Sequence, residues 1–572
     1  MDVPREPPAE SAESSTTSAA ERLLRAWREH GVEYVFANLG TDHAPLLEAM
    51  ARLRSAGESD AMPSVVVCPH EFVAMSAAHG YTAVTGTPQV VLVHVDVGTQ
   101  NLGAAMHNAH RANVPVFVAA GLAPVTDSGY LGSRNHFVHY HQDVFDQPGI
   151  VREYCRWTDE YRPPADPADL VARGLERAQD APAGPVYVTA TREALEARFD
   201  DGELDELRDV TSAGEPGPSA ESVAKLADAV SAAEAPVVIT GGTCDPERLV
   251  TFAEATGAGV VEHASTRVGF PRDHPQHLGF DPAPTFERAD LVVLASVEVP
   301  WIPSRGEPTP ETTVVQIDPE PTKRTFPVWN FAVDERVAAD PGETFDRLVE
   351  ALDGEQAAGF AFAELAEQRR AERAATLESH RDAGALTPEV ATDVVNGVVD
   401  ESTIVVEDAV TAMGALREHL DVPVGDGMLS KGGAGLGWAG GAAVGAKLAR
   451  PDARVVSIVG DGSYLFTHPA ISAWLSAAVG APTLTVIYDN GGWNAVERAT
   501  LSQYPEGVVE NDGLPERTFD PAPALTAPAG IVDAHTAVAE NEAALAACLD
   551  DAVAAVDDGS PAVVHVRLDE RP

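Results

Sequence analysis

The stretch Ala453-Arg-Val-Val-Ser-Ile-Val-Gly-Asp-Gly-Ser463 decides the fold. Its apolar run, Val455 to Val459, stops at Gly460-Asp461-Gly462, a glycine turn that leaves an acidic side chain just beyond the run. Short, continuous β-branched runs are strands buried on both faces, as in parallel sheets covered by helices, and open α/β sheets bind ligands at the carboxyl ends of their strands. Outward from this point STIVVED (402–408), PTLTVIYDN (482–490) and PAVVHVRL (561–568) supply further strands. Thr387-Pro388-Glu389, a capping threonine with proline in the first turn, starts the helix that enters the unit. These elements define an α/β unit over 385–572.

The same alternation recurs twice upstream. YVFANL (34–39), SVVVCP (64–69), QVVLVHV (89–95), PVFVAAG (115–121) and PVYVTAT (185–191) form a unit over 18–195, opened by Ser18-Ala-Ala-Glu21 at capping-box spacing. PVVITGG (236–242), GVVEHA (259–264), DLVVLASV (290–297) and TTVVQID (312–318) form another over 219–350. An acidic, Gly- and Pro-broken linker (200–219) and a charged helical connector (360–381) separate the units, and residues 1–17 read as a disordered tail. The expected fold class is α/β, with three doubly wound parallel-sheet domains; 572 residues exceed what one core supports.

Asp plus Glu number 88 against 39 Lys plus Arg, a formal charge of -49, and the lysines are Lys225, Lys323, Lys431 and Lys447 alone. Nucleic acid and anionic membranes, both bound by neutralising negative charge, are poor partners for such a chain. Self-repulsion of this size is screened where the Debye length falls to about 3 Å, at 1 M salt, so the composition points to a halophilic cytosol. The start of the chain lacks the basic and apolar segments of a secretory signal, and a cytoplasmic location is expected. Gly462 to Tyr488 carries no formal charge, but His468, Pro469 and Pro482 interrupt it, which suits a buried helix and strand better than a membrane span. Cys68, Cys155, Cys244 and Cys548 lie too far apart in sequence for a disulfide scaffold or a short metal motif.

Asp461 and Asn490, at the ends of two successive strands, suit a hard cation such as Mg²⁺, which takes few protein oxygens; the plain alternative is two strand-ending turns. Glu71, in Pro69-His70-Glu71 before FVAMSAAHGYTAVTG, stands at the start of an apolar helix, where a solvated glutamate meeting the helix dipole is the ordinary alternative. His136, His139 and His141 cluster in RNHFVHYHQDVFDQ, a spacing that suits a pocket lining or an exposed loop better than zinc.

Taken together, these residues resemble the thiamine diphosphate-dependent enzymes of the acetolactate synthase and pyruvate decarboxylase type, over about residues 20–570. Gly460-Asp461-Gly462 and Asn490 match that family's Mg-diphosphate motif, the 28 intervening residues slightly exceeding the usual gap. His70, Glu71, Ala74, Ala77, Ala78, Gly80, Tyr81 and Thr85-Gly86 match the segment that carries its cofactor-activating glutamate. The resemblance implies pyrimidine-binding, central and diphosphate-binding domains. It implies Mg²⁺ held by Asp461, Asn490 and the Gly492 carbonyl, and diphosphate met by the Gly460-Asp461-Gly462-Ser463 turn. Leu436 would be the apolar wedge that bends the cofactor, with the Ala434 carbonyl receiving its amino group. Without the resemblance, Gly435-Leu436-Gly437-Trp438 reads equally as part of a small-residue helix packed closely on a sheet.

The family's synthases place SGPGATN where this chain has His94-Val-Asp-Val-Gly-Thr-Gln-Asn101, a divergence that bears on the substrate. Thr41, Asp42, His43, Gln100, His139 and His141 are implied to line the substrate pocket. The implied activity is decarboxylation of a 2-oxo acid through a C2 ylide with carboligation, as in acetolactate synthase. The alternatives are a decarboxylase that releases an aldehyde and, from another class, a catalytically silent binding subunit. A homodimer or homotetramer is implied, because Glu71 and Asp461 would come from different subunits. EVPWIPS follows DLVVLASV where the flavin-binding synthases carry an RFDDR-like segment, so no FAD is expected. Dialysis of the protein from multimolar KCl into dilute buffer is expected to reduce its far-ultraviolet circular dichroism; an unchanged spectrum would refute the halophilic reading.

Overall fold

The computed structural model describes residues 16–200, 206–211, 214, 216–352 and 359–569. Of the tail expected over 1–17, residues 1–15 lie outside the described residues. Thr16 and Thr17 depart from it: β1 (Thr16–Ser18) pairs antiparallel with β8 (Arg198–Asp200), closing the first unit. Ser18 then caps the Ala19–Glu29 helix, its side chain accepting the Glu21 amide at 3.2 Å.

The first sheet holds β2 (Tyr34–Ala37), β3 (Ser64–Val67), β4 (Gln89–Val93), β5 (Val116–Leu122), β6 (Trp157–Glu160) and β7 (Val186–Thr191), in the order β3-β2-β4-β5-β7-β6. The second holds β9 (Pro236–Thr240), β10 (Gly259–Glu262), β11 (Leu291–Ala295), β12 (Thr313–Asp318) and β13 (Glu335–Ala338), ordered β10-β9-β11-β12-β13. The third holds β14 (Ile404–Asp408), β15 (Met428–Ser430), β16 (Val455–Gly460), β17 (Leu484–Asp489), β18 (His535–Ala539) and β19 (Ala562–Arg567), ordered β15-β14-β16-β17-β19-β18. All pairings within these three sheets are parallel.

In each sheet the chain adds its second strand on one side of the first and its third strand on the other. The reversal leaves a crevice at the carboxyl ends of β2 and β4, of β9 and β11, and of β14 and β16, where doubly wound sheets take ligands. Around the second crevice, which Gly241 and Ser296 help to line, lies a cavity of about 310 Å³.

Leu207 and Val210, in the segment expected as linker, pack against the first core, because burying two aliphatic side chains outweighs leaving that stretch extended. The Ala363–Asp382 connector is helical as its charge pattern suggests, with Ala366 on the middle core and Leu377 against the third. No helix among the described residues is long and apolar enough to cross a membrane.

Two helices join the first and third units. In Glu71–Thr85 every residue from Glu71 to Ala83 is buried, so the helix is enclosed on all sides rather than amphipathic. Its partner is Trp438–Ala449, the small-residue segment, which packs on this helix and so does more than cover a sheet. A Cβ on Gly445 would stand 1.9 Å from the Ala77 carbonyl oxygen, and one on Gly80 would stand 2.2 Å from that of Ala442. The two backbones therefore touch directly, and Val444 joins the core of the first unit. Gly445→Ala is expected to cost about 1–3 kcal/mol by overpacking, seen as a lower melting temperature. Gly414→Ala, on an exposed helical position with open space around it, should leave that temperature unchanged or raise it.

Candidate functional site

The third crevice gathers the oxygen-bearing residues. Asp461 follows β16 and begins the short Asp461–Phe466 helix, only 3% exposed; its Oδ1 accepts the Gly462 amide at 2.8 Å, while Oδ2 has no partner. Asn490 follows β17; its amide nitrogen donates to Thr411 Oγ1 at 2.8 Å, which leaves the buried Oδ1 without a partner. Buried polar atoms are nearly always bonded, so one orphaned carboxylate oxygen and one orphaned amide oxygen at neighbouring strand ends fit a divalent cation. The Gly492 carbonyl, the third expected ligand, accepts the Asn494 amide at 2.9 Å and has a second lone pair to offer. Burial, and then the nearby Asp489 carboxylate, push the Asp461 carboxyl above its usual range. Asp489 stays below its own despite burial, because His565 bonds it at 2.7 Å. Gly462 lies under the Trp493 indole, and Ser463 is buried beside it.

Leu436 is half-buried in the loop before the Trp438–Ala449 helix, and Ala434 is exposed there. Two partners hold this loop. Asp408, at the end of β14, accepts the Gly437 amide at 2.8 Å and pairs with Lys431; Asn108 donates to the Gly435 carbonyl and accepts its amide, both at 2.9 Å.

Asn108 belongs to the Val95–Arg111 helix, which also serves Glu71. The Glu71 carboxylate is 6% exposed and accepts the Asn101 side-chain amide on Oε2 at 3.0 Å; Gly98, whose Cβ would stand 3.0 Å from Oε1, leaves that oxygen clear. Asn101 and Asn108 stand on either side of a kink at Gly103, where the backbone has a φ of 28°, so that one segment reaches both the Glu71 carboxylate and the Leu436 loop. Among the described residues no hydrogen bond or ion pair joins Glu71 to Asp461 or Asn490.

The first crevice holds an arrangement that the sequence did not disclose. Asp42, buried after β2, lies 2.5 Å through Oδ1 from His94 Nδ1, accepts the Val95 amide on Oδ2 at 3.2 Å, and lies 3.3 Å from His43 Nε2. Gly121, near the end of β5, lets the carboxylate in: a Cβ there would stand 1.7 Å from Asp42 Oδ2. Burial pushes Asp42 up, but the His94 hydrogen bond and the two imidazoles outweigh it and hold the carboxyl below its ordinary value. That hydrogen bond holds the His94 imidazole above its own range against partial burial, and Glu71 adds to the effect from its helix; burial holds His43 below. Val95 has a φ of 35°, a region that β-branched residues seldom adopt and that is typical of functional sites.

Of the other expected lining residues, His139 is buried near Asp42, while Thr41, Gln100 and His141 are exposed. Among the described residues no group of three or more His, Cys, Asp or Glu is gathered as a metal site would require. His94 and Asn101 were the residues missed; the available signal was a histidine directly after β4, at a strand end that flanks a crevice.

Three family models match the chain: the thiamine pyrophosphate enzyme N-terminal binding domain at residues 17–150, the central domain at 223–348 and the C-terminal binding domain at 412–566. A human relative, 2-hydroxyacyl-CoA lyase 2, is 24% identical over 97% of this chain and 90% of its own. The acetolactate synthase large subunit of Parasynechococcus marenigrum is 24% identical over 88% and 81%. The Rhodococcus jostii thiamine diphosphate-dependent 4-hydroxybenzoylformate decarboxylase superposes with a TM-score of 0.79 at 20% identity, covering 97% of this chain and 99% of its own, which establishes likeness of fold.

A carboxyl whose pKa is raised by folding stabilises the protein below the unfolded value and loses that contribution as pH rises through the folded one. In chelator, Asp461→Asn should therefore melt roughly 2–4 °C above the parent at pH 8, with the gap closing towards pH 4. A parent that melts higher at pH 8 would contradict the crowding of Asp461.

Proposed function

Because this chain belongs to the thiamine pyrophosphate enzyme family, we propose that it is a thiamine diphosphate- and Mg²⁺-dependent lyase that removes the carboxylate of a 2-oxo acid and ends the reaction by protonation, releasing an aldehyde. The observation that carries this reading is the hydrogen bond between buried Asp42 and partly buried His94, a pair placed to carry a proton near the Glu71 carboxylate. The relatives include lyases and synthases alike, so similarity does not choose between them.

Asp461 Oδ2, Asn490 Oδ1 and the Gly492 carbonyl would hold the cation, and the Gly462 and Ser463 amides the diphosphate. Leu436 and Ala434, fixed through Asn108 and Asp408, would shape the bend of the cofactor. Bound there, thiamine diphosphate would supply the cationic ring that takes up the electron pair left when carbon dioxide departs. Glu71 would hold or release a proton at Oε1, its other oxygen being fixed by Asn101. Asp42 orients the His94 ring through Nδ1, which makes Nε2 the atom that gives up a proton. The cofactor would lie between two copies of the chain. Apolar side chains exposed near both half-sites, Phe137 and Phe145 on one and Phe466 and Val508 on the other, suit such an interface.

Carboligation, the first reading of the sequence, requires a site that withholds protons until a second carbonyl arrives, which an imidazole whose protonated form is favoured by Asp42 opposes. Proton NMR of pyruvate and of an aryl 2-oxo acid, each incubated with protein, thiamine diphosphate and Mg²⁺ in multimolar KCl, decides. An aldehyde is expected. Glu71→Gln should abolish turnover with thiamine diphosphate still bound, and His94→Ala should slow aldehyde release by about 10²–10⁴-fold. Acetolactate from pyruvate would restore the synthase reading, and failure to bind thiamine diphosphate would favour a silent subunit.

A further inference from the structure

Gln142 reaches the His94 ring from the histidine-bearing segment. Its amide nitrogen lies 2.8 Å from His94 Nε2, the ring nitrogen that Asp42 does not engage. The segment that presents it is braced from within. Arg134 donates to the His139 carbonyl at 2.5 Å, pairs with Asp143 next to Gln142, and lies 4.6 Å over the Tyr140 ring. The Tyr140 hydroxyl donates to Asp127 at 3.0 Å, and the Asn135 amide donates to His139 Nδ1 at 3.3 Å. At the base, Gln147 donates to the Gly121 carbonyl at 2.9 Å and to the Tyr187 hydroxyl at 2.8 Å. Gly121 is the residue against which Asp42 packs, so one scaffold carries both sides of the His94 imidazole.

A primary amide suits a titrating imidazole. Its N–H donates to the bare Nε2 of the neutral ring, and after a half-turn its carbonyl oxygen accepts from the N–H of the protonated one. The groups facing His94 are Asp42 and His43 from the turn after β2, with the two imidazole centroids 6.4 Å apart, Glu71 from its helix, and Gln142. The carboxylates favour the imidazolium and His43 opposes it.

We infer that Gln142 is a positioning residue of the Asp42–His94 pair: it caps Nε2 in the resting enzyme, steadies the ring in both protonation states, and yields that nitrogen to the substrate. The inference rests on the reading of His94 as the proton carrier.

Carbethoxylation of His94 by diethyl pyrocarbonate, followed peptide by peptide in the holoenzyme across pH, tests it alongside the pH dependence of kcat/KM for the accepted 2-oxo acid. Gln142→Leu should raise the rate of His94 modification by about tenfold, the equilibrium weight of one hydrogen bond, with little change in its pH midpoint, because the amide serves both protonation states. Gln142→Glu, of the same shape, puts a further carboxylate at Nε2 and should raise the midpoint. A faster rate in the Leu variant with a raised midpoint in the Glu variant is more than loosened packing would produce, and the Glu variant keeps the test open should the Leu variant misfold. Equal rates and midpoints in all three proteins would overturn the inference. If His94 reactivity shifts as expected while the kcat/KM profile stays put, the capping role stands and the assignment of His94 as proton carrier falls.

Discussion

Backbone contact between the Glu71–Thr85 and Trp438–Ala449 helices is the constraint on which the rest of the structure depends. Gly80 and Gly445 place each helix against the carbonyls of the other, closer than any side chain allows, and this fixes the first unit on the third. The same contact sets the start of the Glu71 helix against the third unit. His70, which caps that helix, stacks on His468 with ring centroids 3.8 Å apart, and His468 lies two residues beyond the helix begun by Asp461. A close-packed crossing transmits small displacements, so each half-site is held to within the tolerance of packed backbone.

The three sheets reach the same strand order by repeating one construction, and each leaves a crevice where the order reverses. Buried carboxylates at these crevices are handled differently. Asp42 is bonded to His94, and Asp408 is satisfied by Lys431 and the Gly437 amide. Asp461 is left with one unpartnered oxygen, as is Asn490 at the end of the neighbouring strand. A buried charge left short of partners is costly, and that cost is borne where the residues are disposed to meet a ligand.

Central strands were legible because burial on both faces demands unbroken β-branched runs, as in β9 and β11, where every residue is buried. The strands that pattern reading missed, β6, β13, β15 and β18 with the short β1–β8 pair, all lie at sheet edges. Trp157-Thr-Asp-Glu160 and Glu335-Arg-Val-Ala338 have one strand neighbour and partly exposed faces, so nothing forces their composition towards valine and isoleucine. Leu207 and Val210 were likewise invisible as core, since two isolated aliphatic residues in an acidic stretch carry no periodicity.

By itself the sequence determined the alternation of strands and helices, the placing of Asp461 and Asn490 at the ends of successive strands, and that of Glu71 at the start of an apolar helix, whereas the turn expected at Gly460-Asp461-Gly462 is the first turn of the Asp461–Phe466 helix. Each legible feature is a local requirement: a buried strand needs apolar residues, and a capped helix needs a polar first turn. Only the tertiary structure decided that Asp42 meets His94 and that Gln142 caps the same ring, or that Asn101 and Asn108, on either side of the Gly103 kink, serve Glu71 and the Leu436 loop. These contacts join residues 52, 48, 30 and 327 positions apart. No local propensity encodes them, because they arise where the ends of different strands converge and where two glycine-bearing helices let separate units touch.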